Sequence, residues 1–146
     1  MKELAWEIAE TSRMIRRHFN RRASELGVTN AQWRVLAWLN HEPRLKQVEL
    51  AERMDVEPIT AGRIVDRLEE AGLVQRLPDP VDRRVWRLVV TDKAQPIIKR
   101  LGILAEDMAG DIFVGLDPKE VEAVRANLAL VRQNIGGVEA AQRKSA

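Results

Sequence analysis

The sequence predicts a mainly α-helical fold interrupted once by a small β-hairpin, and three features predict it. Apolar residues recur at spacings of three and four over most of the chain, the mark of amphipathic helices. Residues 73–90 instead carry Val, Leu and Trp around a turn rich in Pro and Asp, as a hairpin does. The 146 residues are 45% hydrophobic and 32% charged, too apolar for a disordered chain and long enough to bury a core.

Taken in order, residues 3–26 read as a helix through Leu4, Ile8, Ile15, Phe19, Ala23 and Leu26, with Gly27 as its stop. Thr29 with Gln32 three positions on is a capping-box pattern, opening a second helix to about Asn40 that His41-Glu42-Pro43 ends. A short third helix, about 46–54, carries Val48, Leu50, Ala51 and Met54. Asp55 and Val56 form a tight break before Pro58, which suits a first helical turn because its missing N–H has no partner there anyway. The fourth helix is expected to reach Ala71, with Gly72 at its C-terminal cap. It buries Ala61, Ile64, Val65 and Leu68 and turns Thr60, Arg63 and Arg67 outward.

Residues 73–77 and 85–90 read as two strands around the charged loop Pro78-Asp79-Pro80-Val81-Asp82-Arg83-Arg84, with Trp86 expected to pack against the domain body. Thr91 is expected to cap a fifth helix to about Val114, striped by Ala94, Ile98, Leu101, Ala105, Met108 and Ile112. Asp117, Pro118 and Glu120 open the last helix, whose seam is Val121, Val124, Leu128, Val131 and Ile135. Gly136-Gly137 is expected to close it, leaving 138–146 as a loosely held polar tail.

This order places a helix-turn-helix followed by a wing at 29–91. The helices at 1–28 and 92–137 carry more apolar face than so small a centre covers, which points to a helical dimer interface.

Composition excludes several functions. With no cysteine there is no disulfide, thiol catalysis or iron–sulfur cluster, and two histidines make a transition-metal site a poor reading. No apolar run approaches the roughly 20 residues of a membrane span, and the start Met1-Lys2-Glu3-Leu4 does not resemble a signal peptide, so a cytoplasmic protein is expected. Neither histidine lies in a nucleophile or metal motif and no Gly-rich phosphate loop occurs, so no catalytic residue, metal or cofactor is expected. The formal net charge of +2 decides nothing about nucleic acid; only the placement of the bases can.

That placement is informative. A helix entering a major groove about 12 Å wide must offer short polar and long basic side chains outward while its back packs inward. Thr60 can touch a base edge, Arg63 a guanine or phosphate, and Arg67 the backbone. On these residues alone, a solvated amphipathic face is an equal alternative. The loop adds weight: Asp82, Arg83 and Arg84 sit at a turn stiffened by Pro78 and Pro80, and arginine on a projection is a device for narrow minor grooves. In a strand-like segment Asp82 and Arg84 share a face, so the carboxylate can orient the guanidinium. Arg87 can reach a phosphate. The plainer reading is a surface Asp–Arg pair worth little energetically.

Residues 29–91 resemble the winged helix-turn-helix core of the MarR/SlyA family of bacterial transcription regulators. The resemblance is carried by Val48-Glu49-Leu50-Ala51, Thr60 through Glu69, Ala71-Gly72-Leu73-Val74-Gln75-Arg76, Asp82-Arg83-Arg84 and Val90-Thr91. It implies a homodimer on a pseudo-palindromic double-stranded DNA operator, usually a repressor, often released by a small phenolic or carboxylate ligand. Gln47 joins Thr60, Arg63, Arg67, Asp82, Arg83, Arg84 and Arg87 as the expected DNA-facing set. Two positions depart from the family: Gly62 stands where serine is common, and Ile59 where a polar residue or proline is common.

The basic run Arg13, Arg16, Arg17, Arg21 and Arg22, with His18, is first of all a solvated helix face. The resemblance places an effector pocket between the first, second and fifth helices. Arg13, Arg16 or His18 would then border the pocket and Trp33 would line it. Trp33 and Trp38 are otherwise ordinary core residues. Trp6 points away from the main stripe, toward a dimer partner. The competing reading of the whole chain is a winged-helix protein-interaction module that does not bind specific DNA.

Overall fold

Local caps set most element boundaries. The structure, a computed structural model, describes residues 1–145. Helix α1 spans Lys2–Ala23 and tightens into a 3₁₀ turn, Ser24–Leu26, before Gly27 at φ +76° reverses the chain. Helix α2, Asn30–His41, opens on the expected capping box: the Gln32 N–H donates to Thr29 Oγ1 at 3.2 Å and the Thr29 N–H donates to Gln32 Oε1 at 3.0 Å. Helix α3, Gln47–Met54, ends at Asp55 in the left-handed region, φ +54°.

Helix α4, Pro58–Glu70, begins with proline at its first turn. Its end is a Schellman closure, with the Gly72 N–H on Glu69 O and the Leu73 N–H on Leu68 O, both 2.9 Å. The geometry puts Gly72 at φ +73°, a conformation that penalises any Cβ. Strands β1, Val74–Pro78, and β2, Trp86–Val90, pair antiparallel from Val74↔Val90 to Pro78↔Trp86. The segment before α3 adds a stub to this sheet: Lys46 bridges Arg87 and the Leu88 N–H donates to Leu45 O at 2.9 Å.

Two compact units divide the chain, Met1–Met108 and the residues from Ala109 on. In the first, Leu36, Leu39, Leu50, Met54, Leu68 and Leu88 are fully buried, bringing α2, α3, α4 and β2 onto one core. Truncating any one of these costs about 2–5 kcal/mol, so together they fix how α3 and α4 present their outer faces. Helix α5, Gln95–Ile112, contributes Leu101 and Met108 to this core.

In the second unit, Asp117 Oδ1 accepts the N–H groups of Lys119 and Glu120, and Glu120 returns a carboxylate to the Asp117 N–H at 2.8 Å. Helix α6 then runs Pro118–Ser145. No described side chain from Ala109 on is buried.

Three expectations are corrected. Helix α6 does not stop at Gly136-Gly137: two glycines cost about 1 kcal/mol each, and the following Glu, Ala, Gln, Arg and Lys residues favour helix enough to carry it on to Ser145, while Ala146 lies outside the described residues. Thr91 does not cap α5 with its side chain; its hydroxyl donates to Gly72 O at 2.6 Å, and a 3₁₀ turn, Asp92–Ala94, intervenes. Trp86 does not pack against the body, being 45% exposed.

Candidate nucleic-acid interface

Helix α4 sorts its residues by angle. At about 100° per residue, Ala61, Val65 and Leu68 fall on one line and all are buried. Ile59 and Arg63, four apart, fall on the opposite line and are exposed, with Thr60 and Arg67 beside them. Arg63 and Arg67 carry no side-chain hydrogen bond or ion pair to any described residue. Both guanidinium groups are therefore available to a partner with no internal pair to break.

The side of α4 nearest α3 is organised by Arg76, a residue the sequence reading does not single out. From β1 its Nε donates to Gln47 Oε1 at 3.0 Å and its Nη2 to Gly62 O at 3.1 Å. It also pairs with Asp66 at 2.7 Å and Glu69 at 3.2 Å, while its own N–H donates to Glu69 Oε2. One guanidinium thus ties β1, α3 and α4 together. Gln47 is half-buried and spends its carbonyl on this contact, leaving its amide nitrogen 3.3 Å from where a Cβ on Gly62 would stand. Serine at position 62 would crowd that amide, a local reason for glycine here. Arg76→Ala leaves the part-buried Gln47 and Gly62 acceptors without their donor, so urea unfolding is expected to show a loss of about 1–3 kcal/mol. Parental stability would mean that water replaces the guanidinium without cost.

The wing is built on a carboxylate that the sequence marks only as part of a turn. Asp79, 5% exposed, accepts the N–H of Val81 at 2.9 Å and of Asp82 at 3.0 Å through Oδ1, and pairs with Arg87 through Oδ2. Those backbone donors, with Arg87 adding to them, hold its carboxyl well below the usual carboxylate range. Arg87 also donates to Arg44 O at 3.1 Å, so the residue expected at a phosphate has its Nε and Nη1 committed to bracing the wing's base.

At the tip, Arg84 Nε donates to Asp82 Oδ1 at 3.1 Å and Nη2 to Oδ2 at 3.3 Å. The expected pairing is present, but its cause is not strand alternation. Asp82 Oδ1 accepts the Arg84 N–H at 3.1 Å and Asp82 O accepts the Val85 N–H at 3.0 Å, an Asx turn inside a β-turn. The side-chain bond from Arg84, with its N–H adding to it, lowers the Asp82 pKa. Arg84 remains 90% exposed, and Arg83 has no described partner.

The N-terminal candidates are less convergent. Arg13 makes a two-pronged pair with Glu10 on the exposed face of α1, and Arg16 is exposed. His18 Nδ1 lies 3.3 Å from Arg21 Nη2. Trp33 packs on Phe19 with ring centroids 4.5 Å apart and donates its indole N–H to Asn20 Oδ1 at 2.7 Å. Trp6 is 73% exposed. Among the described residues no group of His, Asp and Glu is arranged to hold a metal, and no helix is long and apolar enough to cross a membrane.

Comparison with known proteins decides the family. The MarR family's sequence pattern matches residues 28–86. The HTH-type transcriptional regulator YybA of Bacillus subtilis (strain 168) is 30% identical over 138 residues, 92% of this chain and 90% of that one. The chain belongs to the MarR family. Among solved structures, the transcriptional regulator PA3341 is 35% identical with a TM-score of 0.84, covering 92% of this chain and 98% of that one. A MarR variant from E. coli, solved in complex with operator DNA, is 28% identical with a TM-score of 0.74, covering 88% and 93%. This MarR-family regulator therefore has the winged-helix fold expected for it. The matched stretch contains the Gln47–Gly62–Arg76 clasp, the Asp79 carboxylate at the wing's base and the Asp82–Arg84 tip.

Proposed function

We propose that the protein is a cytoplasmic, homodimeric transcription regulator, acting as a repressor on a pseudo-palindromic duplex operator. Helix α4 of each copy lies in a major groove, with Thr60 and Arg63 at base edges and Arg67 on phosphate. The wing lies in the adjacent minor groove, with Arg84 inserted and Arg83 on the backbone. Gln47 approaches through its free amide nitrogen, and Arg87 acts indirectly by holding the wing.

The observation that carries this reading is the division of labour among arginines. Arg76 and Arg87 are tied to interior partners that hold α4 and the wing in place, whereas Arg63, Arg67 and Arg83 are exposed without described partners. What separates these three from other exposed arginines such as Arg17, Arg100 and Arg132 is their place on the outer face of α4 and at the wing tip, the two features that Arg76 and Arg87 brace. The operator-bound E. coli relative supports the same reading.

The second unit supports dimerisation. Val124, Leu128, Val131, Ile135 and Val138 recur at alternating steps of four and three along α6, in a unit that buries no described side chain of its own. Such a stripe is covered by a partner helix in a coiled-coil manner. An obligate interface of at least about 2,000 Å² is expected. Release by a small aromatic or anionic molecule rests on the family alone. At Arg13 such a ligand would meet the Nη1 donors that Glu10 leaves open, and at Trp33 it must use the ring face, since the N–H is already donated.

Fluorescence anisotropy with duplexes enriched from a random pool tests the proposal. Four phosphates neutralised, by Arg67 and Arg83 of each copy, give roughly a 10²-fold affinity loss between about 50 and 200 mM salt. Absence of salt-dependent duplex binding would favour the protein-interaction module. Sedimentation of a folded monomer at micromolar concentration would remove the dimer.

A further inference from the structure

We infer that Ile59 is a base-reading residue that packs against the C5-methyl of one thymine in each half-site. The inference rests on the duplex-binding reading above and adds to it a residue of different chemistry.

Two observations carry it. Ile59 is 72% exposed, although α4 is anchored by Ala61, Val65 and Leu68 and gains nothing for folding from a large apolar group on its far side. Its position is one turn before Arg63 on the line opposite the core, in the first turn of α4, and the N-terminal residues of a recognition helix are those that reach base edges. Pro58 stands immediately before Ile59 and shares with Val48 of α3, 53% exposed, a shallow depression also lined by Glu52, Asp55 and Glu57.

The chemistry then selects the ligand. An isoleucine side chain has no donor or acceptor, so it cannot read guanine, cytosine or adenine edges by hydrogen bonding. The major groove displays one apolar feature, the thymine methyl. A cytosine amino group or guanine carbonyl facing Ile59 would lose water and gain no partner, so the same side chain also rejects G·C at that position. Branching at Cβ restricts χ1, so little rotamer freedom is lost on docking.

The test uses the full-length protein and a duplex it selects from a random pool. Each thymine of the half-sites is replaced in turn by deoxyuridine, which removes only the methyl and preserves pairing. For one thymine per half-site, the parent is expected to bind about 3–10-fold more weakly without the methyl. Ile59→Ala is expected to bind the two duplexes within about twofold of each other, and Ile59→Val, which keeps the branched carbon, to retain discrimination. A parent indifferent to every methyl, or an Ile59→Ala variant that keeps the parental ratio, overturns the inference. Failure to select any duplex overturns the duplex-binding reading itself and this inference with it. Duplex binding without a methyl effect overturns this inference alone.

Discussion

Replacing Arg84 with alanine is expected to weaken duplex binding about tenfold per half-site, most on sites with A·T-rich flanks, because a narrow minor groove concentrates negative potential. The side chain is placed for this, exposed at the tip while its Nε and Nη2 rest on Asp82. Circular dichroism and assembly should not change, since Arg84 touches no core residue. The sharper result concerns Asp82. Removing an acid near DNA should tighten binding by simple electrostatics, yet Asp82→Ala is expected to weaken it several-fold. The substitution frees the guanidinium and dissolves the Asx turn that projects it. In an Arg84→Ala background the loss should shrink, because the carboxylate then holds only the backbone N–H at position 84 and no guanidinium. Tighter binding by the single Asp82→Ala variant would reduce Asp82 to a surface acid.

Proton linkage sets where these measurements hold. Asp79 and Asp82 both have lowered pKa values in the folded protein. Their contribution to wing order is present above the ordinary carboxylate value of about 3.9 and is lost only as pH falls through the depressed values. Between about pH 5 and 8 the wing is expected to behave identically, so a change of affinity there reports other groups.

What could be read from the sequence was local. Thr29 with Gln32, Pro58, Gly72 and Asp117 with Glu120 each signal a helix end within four residues, and each end lies where that chemistry requires. The same local rules failed where a distant or cumulative effect competed. Thr91 has the composition of a cap but meets the Gly72 carbonyl 19 residues away. Gly136-Gly137 has the composition of a stop, but the helix-favouring run beyond it outweighs two glycines. Site residues divide similarly. Arg63 and Arg84 are legible because an outward arginine on a helix face or turn needs no knowledge of partners. Arg76 is not, because its Gln47 partner is 29 residues away. Asp79 reads as a turn former, since only the hairpin register brings Arg87 onto its carboxylate.

Arg63 and Arg67 lie on one helix face and are expected to fail differently. Arg63 is one turn nearer the start of α4, where side chains reach base edges, and its five N–H donors match the O6 and N7 acceptors of guanine. Arg63→Ala should cost about 1–3 kcal/mol per half-site and relax preference at one base pair. Arg67 is more than two turns from Pro58, where a helix in the groove is leaving the bases and passing the backbone. Arg67→Ala should weaken all sequences alike and reduce the salt slope by about one for each phosphate no longer neutralised. Neither effect should come with a loss of stability, since both guanidinium groups lack described partners in the free protein. Sequence selection repeated with each variant separates the two roles. If both variants bind more weakly while the selected consensus stays unchanged, neither side chain reads bases, and discrimination must come from Thr60, Ile59 or the shape of the minor groove under the wing.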